Sequence, residues 1–254
     1  MLSCSRCGRP ICGSCSIDAS VGQRCPECVR EEGAQKVIPT GPRRRPTAGA
    51  PVTLSILAVT AIFFALSGFG DRDSLVTQTL QQSNLAIAAG EWWRIFTPIL
   101  LHGSFMHILF NMWALWVLGP QIERAVGGWA FAGLYLASAG MGGVAYSMTG
   151  SLAAAVGASG AIFGLFGVWL AWALKRRKTA AGRAMLSQIG FLLLINAALP
   201  FLVPRIAWQA HLGGLIMGFV IGLIWGVIQG PNAARLRALI AFAFAALAAV
   251  LVII

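Results

Sequence analysis

The chain has 254 residues, of which 57% are hydrophobic and only 11% charged, and its net charge is +11. A soluble domain carries about a quarter charged residues, so this composition is that of a multi-span membrane protein. The basic residues are scattered at the ends of apolar runs and form no basic face with interleaved aromatics, which excludes nucleic acid as a partner.

All six cysteines fall before residue 30, as Cys4-x-x-Cys7, Cys12-x-x-Cys15 and Cys25-x-x-Cys28, and the apolar remainder has none. That distribution favours a reduced, metal-binding head over disulfides. The first 50 residues lack the apolar core of a signal peptide, so the head, residues 1–30, is expected to stay cytoplasmic. Thiolate pairs at this spacing each supply two corners of a zinc tetrahedron. Cys4, Cys7, Cys25 and Cys28 match a four-ligand spacing best, which leaves Cys12 and Cys15 over. The head resembles part of a B-box or treble-clef cross-brace, in which alternate pairs share a metal. In that scheme Cys12 and Cys15 would partner a pair upstream of Cys4, which this sequence does not hold. One structural zinc is therefore expected, with the role of Cys12 and Cys15 and the partner of the head left open.

Residues 31–50 turn to charge, Pro and Gly, with Arg43-Arg44-Arg45 between two prolines. This reads as a flexible linker whose basic cluster fixes topology. Seven apolar stretches follow, roughly 51–69, 100–118, 129–148, 153–174, 186–203, 207–228 and 236–254, each near the length that crosses a bilayer as a helix. With the head inside, Arg124, Lys175, Arg176, Arg177, Lys178, Arg183, Arg235 and Arg237 lie in inner loops, and only Arg72, Arg94 and Arg205 lie outside. That asymmetry is what the positive-inside rule requires. The second, fourth and sixth stretches then enter from the outer face, bringing His107, Ser159 and His211 to a matched depth on the order of 10 Å. Between the first two spans, Glu91-Trp92-Trp93-Arg94 reads as an interfacial cluster on a half-inserted loop, or as an ordinary aromatic belt.

Ser159 sits in Gly157-Ala158-Ser159-Gly160, at the head of a run in which Gly160, Gly164 and Gly167 recur at helical spacing. Alone, this is as well read as a packing seam. The three histidines, all in or beside apolar stretches, change the balance. A serine hydroxyl needs a base, and neutral imidazole serves near pH 7. His211 shares a helix face with Gly214, Gly218 and Gly222, so two glycine seams can bring ring and hydroxyl together. No acidic residue lies in either stretch, so the unit is a dyad. His107 and Asn111, four apart on one face, and the Ser159 amide are candidate oxyanion donors, although Asn111 alone is as well read as an interhelical hydrogen bonder. His102, nearer the outer end, reads as an anchor for the loop.

These residues resemble the rhomboid family of intramembrane serine proteases. The matching pieces are His102-Gly-Ser-Phe-Met-His107-Ile-Leu-Phe-Asn111, Gly157-Ala-Ser159-Gly160 and Ala210-His211-Leu-Gly213-Gly214, with Glu91-Trp-Trp-Arg94 and Glu123-Arg124 as further signatures. The resemblance implies an all-α polytopic fold, with a six-helix core over 51–228 and a seventh transmembrane helix added over 229–254. It implies Ser159 as nucleophile, His211 as base, and His107, Asn111 and the Ser159 amide as the oxyanion hole. Phe163 stands where some members place a tyrosine against the histidine. The implied function is cleavage of transmembrane protein substrates near the outer face, in the lipid bilayer, with no cofactor for catalysis. A non-catalytic membrane-helix binder and a transporter are the alternatives. The binder is disfavoured by the presence of both Ser159 and His211, and the transporter by the lack of charges within the spans.

Overall fold

A computed structural model of the chain describes residues 2–19, 22–34, 49–202 and 206–254. The basic run Arg43-Arg44-Arg45 and Arg205 lie outside the described residues. The chain divides into two units, Met1–Arg45 and Pro46–Ile254.

In the first unit, β1 (Leu2–Ser3) pairs antiparallel with β2 (Pro10–Ile11), and β3 (Ile17–Asp18) with β4 (Gln23–Arg24). The helix α1 (Pro26–Ala34) follows. So little apolar material cannot close a core: only Ile11 and three cysteines are buried together. A unit of this kind needs a staple.

The second unit is helical. Its elements are α2 (Pro51–Leu66), the short α3 (Leu75–Leu80) and α4 (Asn84–Ala88), then α5 (Phe105–Val126), α6 (Gly128–Ser147), α7 (Ser159–Lys175), α8 (Ala180–Leu202), α9 (Trp208–Trp225) and α10 (Ala233–Ile253). Each of the seven expected apolar stretches holds a helix. Among the described residues, four helical segments are long and apolar enough to cross a membrane: Phe105–Val126, Ala180–Ala198, Trp208–Trp225 and Ala233–Ile253. The protein is an all-α, multi-pass membrane protein.

Two boundaries differ from the sequence reading in ways that matter. The second span runs on to Val126 instead of stopping near 118, because Pro120 removes one backbone donor without ending the helix. The fourth begins at Ser159 instead of 153, so α7 has only 17 residues and residues 151–158 form an irregular approach to it. With α5 beginning at Phe105 and α9 at Trp208, His107, Ser159 and His211 all lie in the first turns of their helices, so no helical rise of about 10 Å stands above them.

The core is built where α6, α7 and α9 meet, and α10 packs along α6. Small residues make this possible. Glycines of α7 and α9 face each other directly, and a Cβ on Gly218 would lie 2.5 Å from the Gly164 Cα. The Glu123-Arg124 signature has a concrete use here. Buried Glu123 accepts hydrogen bonds from the Val52 and Thr53 backbone N–H groups, at 2.9 and 2.7 Å, and from the Thr53 hydroxyl at 2.7 Å. An anion is thereby placed on the N-terminus of α2, where the helix dipole favours it. Glu123→Ala strands these donors in a buried setting and is expected to cost about 1–3 kcal/mol. A lowered thermal unfolding midpoint in detergent, only partly restored in Glu123→Gln, whose one carbonyl oxygen can accept from Thr53 but leaves Val52 N–H unmet, is the check.

The segment between α2 and α5 also packs into the fold. Arg94, only 8% exposed, donates from Nε to Glu91 at 2.7 Å and from Nη1 to the carbonyls of Gln78 and Gln81 at 2.8 and 2.9 Å. Trp92 and Trp93 stay exposed beside it. Arg94 therefore gathers the loop's backbone, and the tryptophans form its apolar outer surface.

Candidate active site

Ser159 is the first residue of α7, so its N–H and those of the next two residues have no intrahelical acceptor. The approach to it is pinned from several sides. Gln82 and Ala155 exchange backbone hydrogen bonds at 3.0 and 3.1 Å, Gly157 N–H donates to Pro98 O at 2.9 Å, and the Tyr146 hydroxyl donates to Ala153 O at 2.9 Å. Gly157 has φ +130°, and a Cβ there would lie 2.7 Å from the His107 ring. Glycine at this position is set both by the backbone and by the neighbouring ring.

His211 lies in the first turn of α9, and its Nε2 stands 2.7 Å from Ser159 Oγ. The ring stacks on Phe163, with centroids 4.4 Å apart and planes 11° from parallel. Phe163 is one turn beyond Ser159 on α7, so one helix supplies both the hydroxyl and the surface that orients the imidazole. The approach of α7 to α9 sets the distance. Gly214, one turn after His211, sits against Gly160, where a Cβ would be 2.8 Å from the carbonyl carbon.

His107 borders the same space, since a Cβ on Gly157 would lie 2.7 Å from its Nε2 and 3.8 Å from Ser159 Oγ. Asn111 is buried one turn further along α5, and its Nδ2 donates to the His107 carbonyl at 2.8 Å. That bond takes one of the two Nδ2 hydrogens and leaves the other as a donor for an oxyanion. His102 is buried with its ring edge-on to His107 at 4.9 Å, and neither ring nitrogen has a hydrogen-bond partner among the described residues. It braces His107 by packing. Beside Ser159 lies a cavity of about 40 Å³, walled by Ile95, Pro98, Gly142, Gly143, Val156 and Ala210 among others. That is room for about three water molecules or one small side chain.

In the first unit, the sulfurs of Cys4, Cys7, Cys25 and Cys28 all lie within 4.8 Å of one another, with Cys7 and Cys25 at 3.9 Å. Zn–S bonds of about 2.3 Å give a tetrahedral edge of about 3.8 Å, so the four donors fit a zinc ion. Backbone N–H groups of Cys7, Cys25 and Arg6 hold the Cys4 thiol down to about 6, while hydrogen bonding to Cys25, followed by burial, pushes Cys28 up to about 12. Four clustered sulfurs cannot all ionise without a cation among them. Cys12 and Cys15 pair with each other as a disulfide. The expectation of six reduced thiols thus fails for this pair, whose sulfurs lie outside the four-sulfur group.

A family model, the Rhomboid domain, matches residues 89–227, more than half of the chain, with His107, Asn111, Ser159 and His211 inside the match. The chain belongs to the rhomboid family. YdcA of Bacillus subtilis (strain 168), named among the rhomboid proteases, is 39% identical to this rhomboid over 178 residues, covering 68% of this chain and 88% of YdcA. Rhomboid protease GluP of the same organism is 40% identical over 169 residues, 65% of this chain and 33% of GluP. Rhomboid protease GlpG of Pectobacterium atrosepticum is 32% identical over 187 residues, 72% of this chain and 65% of GlpG. This rhomboid therefore spans most of YdcA but only about a third of GluP.

Several residues that shape the site in this rhomboid were not visible as site residues in its sequence. Gln82 pairs with Ala155 and donates from Nε2 to Gly143 O at 2.7 Å, which ties the loop to both α6 and the approach to Ser159. Ile95 walls the cavity. Neither carries a sequence signal, because their partners lie about 50 to 70 residues away and no periodicity relates them.

Proposed function

We propose that this rhomboid is an intramembrane serine endopeptidase, with Ser159 as nucleophile and His211 as its base. The observation that carries this reading is the 2.7 Å contact between His211 Nε2 and Ser159 Oγ, with the ring held against Phe163. Ser159 Oγ adds to the scissile carbonyl carbon as its proton passes to His211 Nε2. The negative oxygen of the tetrahedral adduct is met by the Ser159 N–H at the start of α7, with His107 and Asn111 as further donors. Collapse breaks the C–N bond, and His211 returns its proton to the departing amine. Water then attacks the acyl-serine, again giving a proton to His211, and the acid product leaves as Ser159 is restored. Every step uses groups of this chain and water. A fluorophosphonate, which reacts with an activated serine without needing a substrate, tests the assignment directly.

The alternative of a non-catalytic helix binder leaves the short contact without a purpose. A hydroxyl and an imidazole aligned inside the membrane domain are costly unless used. A transporter would need charged or paired groups along the spans. Buried Glu123 and Arg94 are instead spent on holding a helix end and a loop.

We infer that the active site opens to the outer face and that the head lies in the cytoplasm. The helix α7 carries Ser159 in its first turn and Lys175 in its last, followed by Arg176, Arg177 and Lys178. Lys175 Nζ donates to the Gly226 carbonyl at the end of α9, which places this basic end opposite the site. Positive charge marks the inner side.

The substrate is a membrane-spanning helix cut near its outer end. A carbonyl within a regular helix is shielded by its own hydrogen bond, so Ser159 reaches only an unwound segment, and Gly or Pro lowers the cost of unwinding. Replacing Gly and Pro near the cut with Leu, with the residues flanking the scissile bond unchanged, should therefore slow cleavage. Undiminished cleavage across several such substrates would count against unwinding.

The head holds one zinc through Cys4, Cys7, Cys25 and Cys28, and the ion's part is structural. Metal analysis of the full chain is expected to give one zinc per chain in the wild type and in Cys12→Ser, and loss of zinc in Cys4→Ser with proteolysis retained. Zinc surviving in Cys4→Ser would reject this ligand set.

A further inference from the structure

The helix α10 lies outside the six-helix core, yet its second half does more than face lipid. Ala248 is fully buried in a cluster with Ile87, Ile95 and Val144, on which Phe96, Met141 and Val252 also pack. Ile87, Ile95 and Phe96 belong to the loop between α2 and α5, and Met141 and Val144 belong to α6. Three elements therefore meet at one place.

Their meeting point is Gly140 of α6. A Cβ there would lie 2.6 Å from the Phe96 ring and 2.8 Å from the Ala248 Cβ. One turn further along the same helix, a Cβ on Gly143 would lie 2.6 Å from the Ile95 Cβ. Ile95, Gly142 and Gly143 are also walls of the cavity beside Ser159. An unbroken line of packed atoms thus runs from Ala248 through the loop to the space next to the nucleophile.

We propose that α10 sets the size of that cavity, with Ala248 as a positioning residue that holds Ile95 and Phe96 against α6, and Ile95 as the residue that selects which substrate side chain fits. The proposal rests on the reading of Ser159 as nucleophile. Protein interiors are close-packed and pass on displacements as small as a methylene. Ile95 is buried with its Cβ close against Gly143, so a displacement reaching it passes on to the cavity wall. A methylene-scale change in such a pocket alters kcat/KM by about 10- to 200-fold between competing substrates. Since the loop rests on α10 from behind, the helix can tune selectivity without touching substrate.

The test uses the full chain in phospholipid vesicles and a substrate whose cut site has been mapped, varied to Gly, Ala or Val at the residue whose carbonyl is attacked. Ala248→Leu, which crowds the loop toward Ser159, is expected to lower the Ala-to-Gly ratio of kcat/KM about tenfold. Ile95→Ala, which opens the wall, is expected to raise the Val-to-Ala ratio about tenfold. Ala248→Leu should keep fluorophosphonate labelling. Ala245→Leu, on the same helix but packed into the main core, should leave both ratios within about twofold of wild type. Should Ala248→Leu fail to fold, Ala248→Gly removes the support instead and should raise the Val-to-Ala ratio.

Labelling retained with unchanged ratios in the Ala248 variants overturns the role of α10, even if Ile95→Ala shifts selectivity. An equal shift in Ala245→Leu overturns it as well, since the effect would then be general loosening. Wild-type protein that neither labels nor cleaves would instead overturn the reading of Ser159, and this inference with it.

Discussion

Ser159→Ala is expected to abolish both fluorophosphonate labelling and cleavage, a loss of roughly a million-fold where a single member of a nucleophile–base unit is removed. His211→Ala should have the same effect on turnover, because the hydroxyl then has no acceptor at 2.7 Å for its proton. The two losses should not add, since each variant disables the same step. Neither residue closes the core, so thermal unfolding of Ser159→Ala should match wild type. His211→Ala should unfold slightly earlier, through loss of the stack on Phe163. Labelling that survives in Ser159→Ala would sink the assignment of the nucleophile.

Gly214→Val is expected to slow the reaction on the order of a hundred-fold, although the residue takes no part in the chemistry. Its Cβ would meet the Gly160 backbone, with the carbonyl carbon at 2.8 Å, and helix backbone cannot move aside as a flexible side chain can. The two helices must separate, at a cost of about 1–3 kcal/mol for overpacking. Gly160 adjoins Ser159, and Gly214 is one turn from His211, so the separation falls directly on the dyad. A misplacement of about 1 Å costs on the order of a hundred-fold in rate. Labelling rate and unfolding midpoint should therefore fall together. A variant that unfolds earlier but labels at the wild-type rate would mean that the seam supports the fold without setting the dyad distance.

The sequence by itself determined the class of the protein, the places of its seven long helices and the two residues that meet in the site. Hydrophobic runs of membrane length are a local property, and lipid leaves helices as the only way for such runs to satisfy their backbone. The glycine spacing on α7 and α9 was also legible, because helical periodicity writes a face into the chain. Ser159 and His211 could be paired because an ionisable ring on a glycine seam has few other uses. The grouping of Cys4, Cys7, Cys25 and Cys28 followed from spacing, whereas the bond between Cys12 and Cys15 did not, since spacing says which cysteines are near but not which state they adopt.

Tertiary structure alone decided how the site is assembled. The start of α7 at Ser159 instead of residue 153 depends on Gln82, Pro98 and Tyr146 capturing the preceding segment, and those bonds span about 5 to 75 residues of sequence. Asn111 carries two duties, since one Nδ2 hydrogen is spent on the His107 carbonyl of its own helix and the other is left for an oxyanion. The burial of Glu123 against the start of α2, and of Ala248 against the loop beside Ser159, arises from contacts between elements far apart in the chain. Composition and periodicity record which face of a helix is apolar. They do not record which distant atoms that face will meet, and those meetings place Ser159, His211 and the walls of the cavity beside them.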